Sequence, residues 1–423
     1  MLGGSLYQVY AIKEAVKMGY YVITCDYLPN NPGHQYAHEY YNVSTTDKEA
    51  VYELAKRLQV DGVVAYASDP AAPTAAYVCE KLGLPTSPYT VEILSQKDLF
   101  RRYLAEHNFN VPKYVGCSSY PEALEQIKNL TLPVMIKPVD SSGSKGINKL
   151  TNVDQLKDFI EDALSYSREK RIIIEEFIEK DGYQISGDAF SVDGILKFHC
   201  FGNEYYSSSV VKDFAPLGEC WPFQMKPEII TELEKDIQRL ISELKMGTTA
   251  YNVEAILGKN GKLYILELGA RSGGSLIPQI TELATGVNMV KYVIKAALGE
   301  DCSEIEMSPA RGYWSNYMLH SKQTGRFKEI SFDENFAKAT GVNVSAYNML
   351  ISVLTAVTIV LGMRMMGAML ISSLVIFPCL TSMRVFKSFT SVVISSGILS
   401  LICFLLGMMA SYQFSTPAGA SVV

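Results

Sequence analysis

A chain of 423 residues is long enough for two or three domains, each with its own core. Its formal charge of −6 is unevenly spread: all 44 Asp and Glu lie at or before Glu334 with 34 of the 38 Lys and Arg, so residues 1–335 carry −10. That balance excludes non-specific nucleic-acid binding, which needs clustered cations to displace counterions from phosphates. The eight cysteines are scattered, with no C-x-x-C pair and no Cys/His ligand spacing, and read as reduced cytosolic or membrane-core thiols. No basic segment followed by an apolar core opens the chain, so no signal peptide is expected.

The opening "MLGGSLYQVYAIKEAVKMG" predicts a Gly turn and an amphipathic helix ending at Gly19, then a strand at Tyr21–Asp26. A helix near 47–58, a strand over 61–68 ("DGVVAYAS") and a helix near 70–82 continue the alternation, which implies a parallel, Rossmann-like sheet. Only Met1 and Leu2 precede Gly3, so the first strand of that sheet is expected to be clipped. A linker and helix fill 83–112. Residues 132–150 read as strand, Gly loop and strand, followed by a helix near 153–165 and a long hairpin-like strand pair over 171–194. Residues 248–299 hold two strands joined by the turn "GKNGK", a Gly-rich loop and two helices.

Beyond residue 345 come three apolar stretches, 346–363, 365–383 and 390–412, the first two separated only by Arg364. Each is near the ~20 residues needed to cross a bilayer core. Buried helices of a soluble domain are the alternative, but so long a run without an acid is hard to place in water.

Three segments carry chemistry. In "IKPVDSSGSKG" a strand delivers Lys137, and Ser141, Ser142, Gly143, Ser144 and Gly146 follow as a loop whose N–H groups and hydroxyls suit nucleotide phosphates. It is not a Walker A loop, because Lys145 is followed by Gly146, and taken alone it reads equally well as a hairpin turn. In "IIIEEFI", Glu175, Glu176, Phe177 and Ile178 suit an adenine slot: backbone near Glu176 and Ile178 for the purine edge, Glu175 or Glu176 for the amino group. A buried strand with a solvated acidic end is the simpler reading of that segment alone. Glu254 and Glu267 flank the tight turn, and pairing about it places both carboxylates on one sheet face, as Mg²⁺ beside phosphates requires. Arg271 is placed to clamp a transferring phosphoryl group or an acyl-phosphate, although an ordinary acidic hairpin explains each of these residues separately.

Taken in order, Lys97, Lys137 with its loop, Glu175 to Ile178, Glu254 and Glu267 to Arg271 resemble the ATP-grasp superfamily, whose carboxylate–amine ligases include carbamoyl-phosphate-synthase-like and biotin-carboxylase-like enzymes. The resemblance covers residues 1 to about 330 and rests on "VMIKPVDSSGSKGI", "IIIEEFI" and "VEAIL…LYILELGARSGGSLIPQI". It implies an α/β architecture: a Rossmann-like pre-ATP-grasp domain over 1–92 and an α+β ATP-grasp domain over 93–330 with a lid at about 113–178. It further implies ATP and Mg²⁺ (or Mn²⁺) as cofactors. Lys97 and Lys137 match the lysines on the phosphates, Ser141 to Gly146 the flap, and Glu175 to Ile178 the adenine hinge. Glu254 and Glu267 match the metal carboxylates, and Arg271 acts with Lys137 on the reacting phosphate. Two departures are Gln184, where many members carry Glu, and Gly269, where many carry Asn; the second reads as a subfamily mark.

The chemistry implied is phosphorylation of a small-molecule carboxylate by MgATP, then displacement of phosphate by an amine, forming a C–N bond. Substrate contacts are expected within 198–216, and His199 is expected to be structural. A non-catalytic ATP-binding module is the alternative, and the resemblance leaves room for a homodimer through the ATP-grasp part.

The tail, with "GMRMMGAMLISSLVIFPCLTSMR" and "STPAGA", resembles the C-terminal part of an ABC-type zinc/manganese-uptake permease over about 336–423, halting where a final helix normally follows. It implies all-α membrane insertion through 346–412, location in the cell membrane, and a cytoplasmic ATP-grasp part, with Lys338, Arg384 and Lys387 inside. A component of an ABC-type metal transporter is the alternative function. The stretch 332–361 reads as a seam at the shared Asp333–Glu334, a chance fusion of two fragments rather than a designed one.

Overall fold

The structure, a computed structural model, describes residues 1–206, 214–224, 226–318, 349, 353, 368–385 and 389–415. It divides into two units, Met1–Glu329 and Ile330–Val423.

In the first unit, β1 (Ile23–Cys25) pairs in parallel with β2 (Glu39–Tyr41), and Leu2 bridges to Cys25 in the same sense. Helices α1 (Val9–Lys17), α2 (Lys48–Leu58) and α3 (Ala72–Leu82) flank them. Ala11, Ile12 and Ala15 of α1 and Val51, Leu54 and Ala55 of α2 recur at three- and four-residue spacing and are buried. Asp47 caps α2, its carboxylate accepting from the Ala50 N–H at 3.1 Å. The strand expected over 61–68 is not formed. The segment runs extended beside Leu2, but one backbone bond, Leu2 N–H to Val64 O at 2.8 Å, joins them, and the Tyr66 carbonyl is taken by the Gln8 amide. A strand needs a ladder, and this segment has a single rung.

Helices α4 (Pro88–Ser95) and α5 (Lys97–Glu106) lead into a four-stranded antiparallel sheet. Its order is β3 (Tyr114–Cys117), β6 (Ile172–Glu176), β4 (Val134–Pro138), β5 (Asn148–Leu150). Beneath it α6 (Tyr120–Gln126) and α7 (Leu156–Tyr166) close a core of Val134, Ile136, Leu150, Leu156, Ile160, Ile172 and Ile174.

The second sheet has six antiparallel strands in the order β11 (Leu263–Gly269), β10 (Thr249–Leu257), β7 (Gln184–Val192), β8 (Ile195–Tyr206), β9 (Pro216–Trp221), β12 (Trp314–Tyr317). One face is apolar under α8 (Pro227–Glu243), through Ile185, Ala189, Tyr251 and Val253 against Leu233, Ile237 and Leu240. The other is divided. Phe190, Phe198 and Trp221 pack under α9 (Ile277–Thr285) and α10 (Met289–Ala297), whereas Gln184, Ser186, Asp188, Glu204, Glu219, Glu254 and Glu267 line the rest. Alternation along the strands puts the two sets on one face.

The hairpin expected over 171–194 does not exist, because β6 and β7 belong to different sheets. Each is a central strand, β6 between β3 and β4 and β7 between β10 and β8, so neither has an edge to offer the other. Residues 177–183 cross from one sheet to the other.

In the second unit, α11 (Ala368–Val385), with Pro378 inside it, packs against α12 (Phe389–Phe414). Within α12, Ser391–Phe414 is 24 residues, long and apolar enough to cross a membrane. Val393, Ile394, Leu401, Leu405 and Met409 on it are exposed. The expected stretch 346–363, apart from residues 349 and 353, lies outside the described residues. So do Lys338, Arg364, Lys387, the proposed seam at 333–334 and the closing "TPAGA".

Candidate active site

Lys97 opens α5, its N–H bonded to Val139 O at 2.9 Å. Its Nζ reaches Ser141 O at 2.9 Å and Glu267 Oε2 at 3.4 Å. Burial opposes the ammonium charge, but Glu267, Asp69 and Glu254 together hold its pKa above the ordinary lysine value. One turn along, Arg101 points into the protein, with Nε 2.5 Å from Glu175 Oε1 and its terminal nitrogens on Ile265 O and Leu266 O at 3.0 and 3.2 Å. Lys137, on β4, donates to the other oxygen of Glu175 at 2.6 Å.

Burial would raise the Glu175 carboxyl, but Arg101 and Lys137 outweigh it and hold its pKa down at about 2. Of the two carboxylates that the sequence offers for the adenine amino group, Glu175 is thus turned inward, and Glu176 borders the neighbouring cavity. Arg101 from α5 and Lys137 from β4 converge on Glu175 and turn it into the interior. A cavity of about 280 Å³ lies beside the next residues, lined by Glu176, Phe177 and Ile178 with Lys259, Asn260 and Tyr264. One Glu176 oxygen accepts from the Thr131 N–H at 2.9 Å, and the Phe177 N–H donates to Pro133 O.

Between β4 and β5 the loop holding Ser141, Ser142, Gly143, Ser144 and Gly146 has left-handed backbone at Gly143, Ser144 and Gly146. A Cβ on Gly146 would stand 2.8 Å from the Pro138 ring and 2.9 Å from that of Tyr166, so only glycine lets the loop lie this close to the strand. Ser144 Oγ donates to Phe214 O at 2.7 Å.

Glu254 and Glu267 stand directly opposite on β10 and β11, and the register slips just after Glu254. Gln184 Nε2 donates to Glu254 at 3.3 Å and to Glu204 at 2.8 Å. Burial, with Glu204 and Glu267 adding repulsion, pushes the Glu254 carboxyl well above the ordinary range. Opposed oxygen donors that outnumber the one lysine beside them fit a hard divalent cation such as Mg²⁺. Among the described residues no three His, Cys, Asp or Glu converge as a complete cage, so such an ion would rely on phosphate or water oxygens for the rest of its shell.

Arg271 is the residue whose surroundings the sequence concealed. Its Nε and one terminal nitrogen both donate to Asp69, each at 2.7 Å, and the other donates to Ser272 O at 3.1 Å. Asp69 begins a short 3₁₀ turn, Asp69–Ala71, just past the segment read as a strand. Burial opposes its charge, but Arg271 keeps its pKa below the usual value. A Ser-Asp-Pro turn just after a strand-like segment of an α/β layer is the signal that could have drawn attention to Asp69.

Also missed were Glu204 and Glu219, directly opposed on β8 and β9. Tyr206 donates to Glu204 at 2.7 Å and Ser186 to one Glu219 oxygen at 3.1 Å, while Glu219 Oε2 has no hydrogen-bond partner among the described residues. Burial first, then neighbouring carboxylates, raises both carboxyls above the ordinary range, and burial lifts Asp188 to about 7. Their alternation along apolar strands was visible, but their facing each other as a buried pair was not. Of the segment 198–216, Glu204 and Tyr206 reach this face and 207–213 lie outside the described residues. His199 sits on the other face, its Nε2 2.6 Å from Glu234 of α8.

Because these carboxyls titrate higher folded than unfolded, their protonated form contributes stability that is complete below about pH 4.5 and lost as pH rises through the raised values. The denaturant midpoint of the chain is expected to fall from pH 5 to pH 8, and Glu219→Gln to flatten that slope. A slope unchanged by the substitution contradicts the assignment.

Comparison with known proteins adds two family matches: residues 96–305 to "Carbamoyl-phosphate synthase L chain, ATP binding domain" and residues 317–423 to "ABC 3 transport family". The chain is 23% identical over 343 residues to the carbamoyl phosphate synthase large chain, C-terminal section, of Aquifex aeolicus, covering 77% of this chain and 61% of that one. It is 26% identical over 227 residues to the carbamoyl phosphate synthase large chain of a Thermoanaerobacter species, covering 52% of this chain and 20% of that one. It thus spans less than two thirds of these relatives. Among solved structures, L-amino acid ligase from Bacillus licheniformis superposes with a TM-score of 0.62 at 23% identity, covering 78% of this chain and 81% of that one. The biotin carboxylase domain dimer of Hydrogenobacter thermophilus 2-oxoglutarate carboxylase, solved with MgADP, gives 0.60 at 19% identity, covering 74% and 73%. These superpositions show a common fold.

Proposed function

We propose that this chain, whose residues 96–305 are an ATP-grasp domain of the carbamoyl-phosphate-synthase type and residues 317–423 a segment of the ABC 3 transport family, is an ATP-dependent ligase of small molecules held at a membrane. The observation that carries the reading is the linkage of Lys97 to both Glu267 and the Ser141 carbonyl, which ties the lysine, the loop and the opposed carboxylates into one cleft. ATP would lie with its base in the slot at Phe177 and Ile178 and its phosphates towards Lys97 and the 141–146 loop, and Lys137 would share its charge between Glu175 and phosphate. Glu254 and Glu267 would hold a Mg²⁺ ion, whose charge would offset that of the triphosphate.

The substrate carboxylate oxygen attacks the γ-phosphorus as the bond from phosphorus to the ADP oxygen breaks, giving an acyl-phosphate and ADP. An amine nitrogen then attacks the acyl carbon, the carbon–oxygen bond to phosphate breaks, and the nitrogen gives up a proton. Lys97, Lys137 and Arg271 contribute position and charge, which is most of what phosphoryl transfer asks of a protein. The tail would keep the site on the ATP-bearing cytoplasmic face, and a homodimer through the ATP-grasp part belongs to the proposal. The match of residues 317–423 favours a second reading for the tail alone, as a component of an ABC-type metal transporter whose ATPase is a separate chain.

The test is ADP and phosphate release by the full chain in native membranes, across a panel of carboxylates paired with amines. Equimolar ADP and phosphate that require both partners are expected, from protein that stays in the membrane pellet after alkaline washing. ATP binding with no release across the panel overturns the ligase reading.

A further inference from the structure

We infer that the carboxylate substrate is a zwitterion, an amino acid or a compound with the same ammonium–carboxylate pair, which opens the Asp69–Arg271 ion pair and gives each residue a new partner. This rests on the ligase reading above. Arg271 directs two N–H groups at Asp69, both at 2.7 Å, and a third at Ser272 O. The fork that would grip a carboxylate or acyl-phosphate is therefore already filled. Asp69 lines a cavity of about 490 Å³ together with Lys97, Ser141 and Glu267, the residues of the phosphate and metal end. Its side chain keeps 25% of its exposure, so a ligand in that cavity can reach it.

A simple anion that took Arg271 would leave the Asp69 carboxylate with Lys97, a cation that Glu267 and the incoming phosphates also draw on. A zwitterion avoids this. Its carboxylate replaces Asp69 on Arg271, its ammonium replaces Arg271 on Asp69, and the site gains no net charge. The chemistry that follows is specific: an ammonium held by Asp69 keeps its proton and has no lone pair, so it cannot attack the acyl-phosphate, and that carbon is left for a second amine.

The test uses the full chain in detergent micelles with MgATP, and hydroxylamine as the amine. Hydroxamate and ADP are measured for amino acids and their des-amino partners, such as alanine against propanoate and phenylalanine against 3-phenylpropanoate. A site built around the ammonium should favour an amino acid by about 100-fold or more in kcat/KM. Asp69→Asn should erase that preference through the KM of the amino acid, leave the KM of ATP in place, and be largely rescued by Asp69→Glu. Equal rates with amino acids and des-amino acids, or a preference that survives Asp69→Asn, overturn this inference alone. No ADP release with any carboxylate, while ATP still binds, overturns it together with the ligase reading.

Discussion

Glu267→Gln is expected to lower Mg²⁺-dependent ADP release by about 10²–10³-fold, the range for removing one group that stabilises transition-state charge. Glutamine keeps the shape of the side chain and its place opposite Glu254, so what changes is charge. Two effects act in the same direction. The cation loses one of two opposed anionic donors, and Lys97 loses the carboxylate 3.4 Å away that orients it. The cost to the fold is offset, because losing the Glu267 charge relieves its repulsion of Glu254 and leaves Lys97 with Asp69, Glu254 and the Ser141 carbonyl. The melting temperature is therefore expected to hold or rise while turnover collapses and the Mg²⁺ concentration needed for half-maximal rate increases. Turnover within threefold of the parent, or a collapse with matching loss of melting temperature, would remove Glu267 from the site.

Arg101→Met is expected to lower the unfolding free energy of the chain by about 3–5 kcal/mol, the usual cost of breaking a buried pair by removing one partner. Methionine replaces the aliphatic stem but none of the donors. Glu175, 3% exposed, is left with Lys137 alone, and the carbonyls of Ile265 and Leu266 lose the guanidinium that joins α5 to β11. The sign with pH is fixed as well. The Glu175 carboxyl titrates near 2 folded against an ordinary 4.5, so it contributes stability above about pH 4.5 that is lost as pH falls towards 2. Without Arg101 that depression shrinks, and acid unfolding should begin at higher pH. Adding Glu175→Gln to Arg101→Met should recover part of the loss, since the stranded charge is then gone. Denaturant titrations of the parent and the two variants decide it, and a cost below about 1 kcal/mol would mean that the guanidinium is not held as described.

What could be read from local pattern, and what could not, divides along physical lines. The turn "GKNGK" marked the hairpin, but counting residues back from it sets Glu254 opposite Leu266; the register slip just after Glu254 is what brings it opposite Glu267. The order Lys97, Lys137, Glu175, Glu254, Glu267, Arg271 needed no folding to be seen. Length and apolar content identified α12 in the same way. The segment 61–68 had the composition of a strand but lacked a ladder, because strand formation depends on a neighbour that composition does not name. The misread hairpin at 171–194 failed for the same reason: each half was strand-like, and only the sheet order showed that they part company.

The sequence by itself determined which residues are candidates for the site and which stretch is fit for a bilayer. Tertiary structure alone decided the partners of the charges. Asp69 and Arg271 are 202 residues apart, and Arg101 and Glu175 are 74 apart. Glu204 and Glu219 face each other with no cation between them among the described residues. Periodicity and turn chemistry act over a few residues, whereas the environment of a buried charge is set by whichever distant strand or helix packs beside it. That is why the sequence could name Arg271 as a site residue, and only the fold could show that Asp69 already holds it.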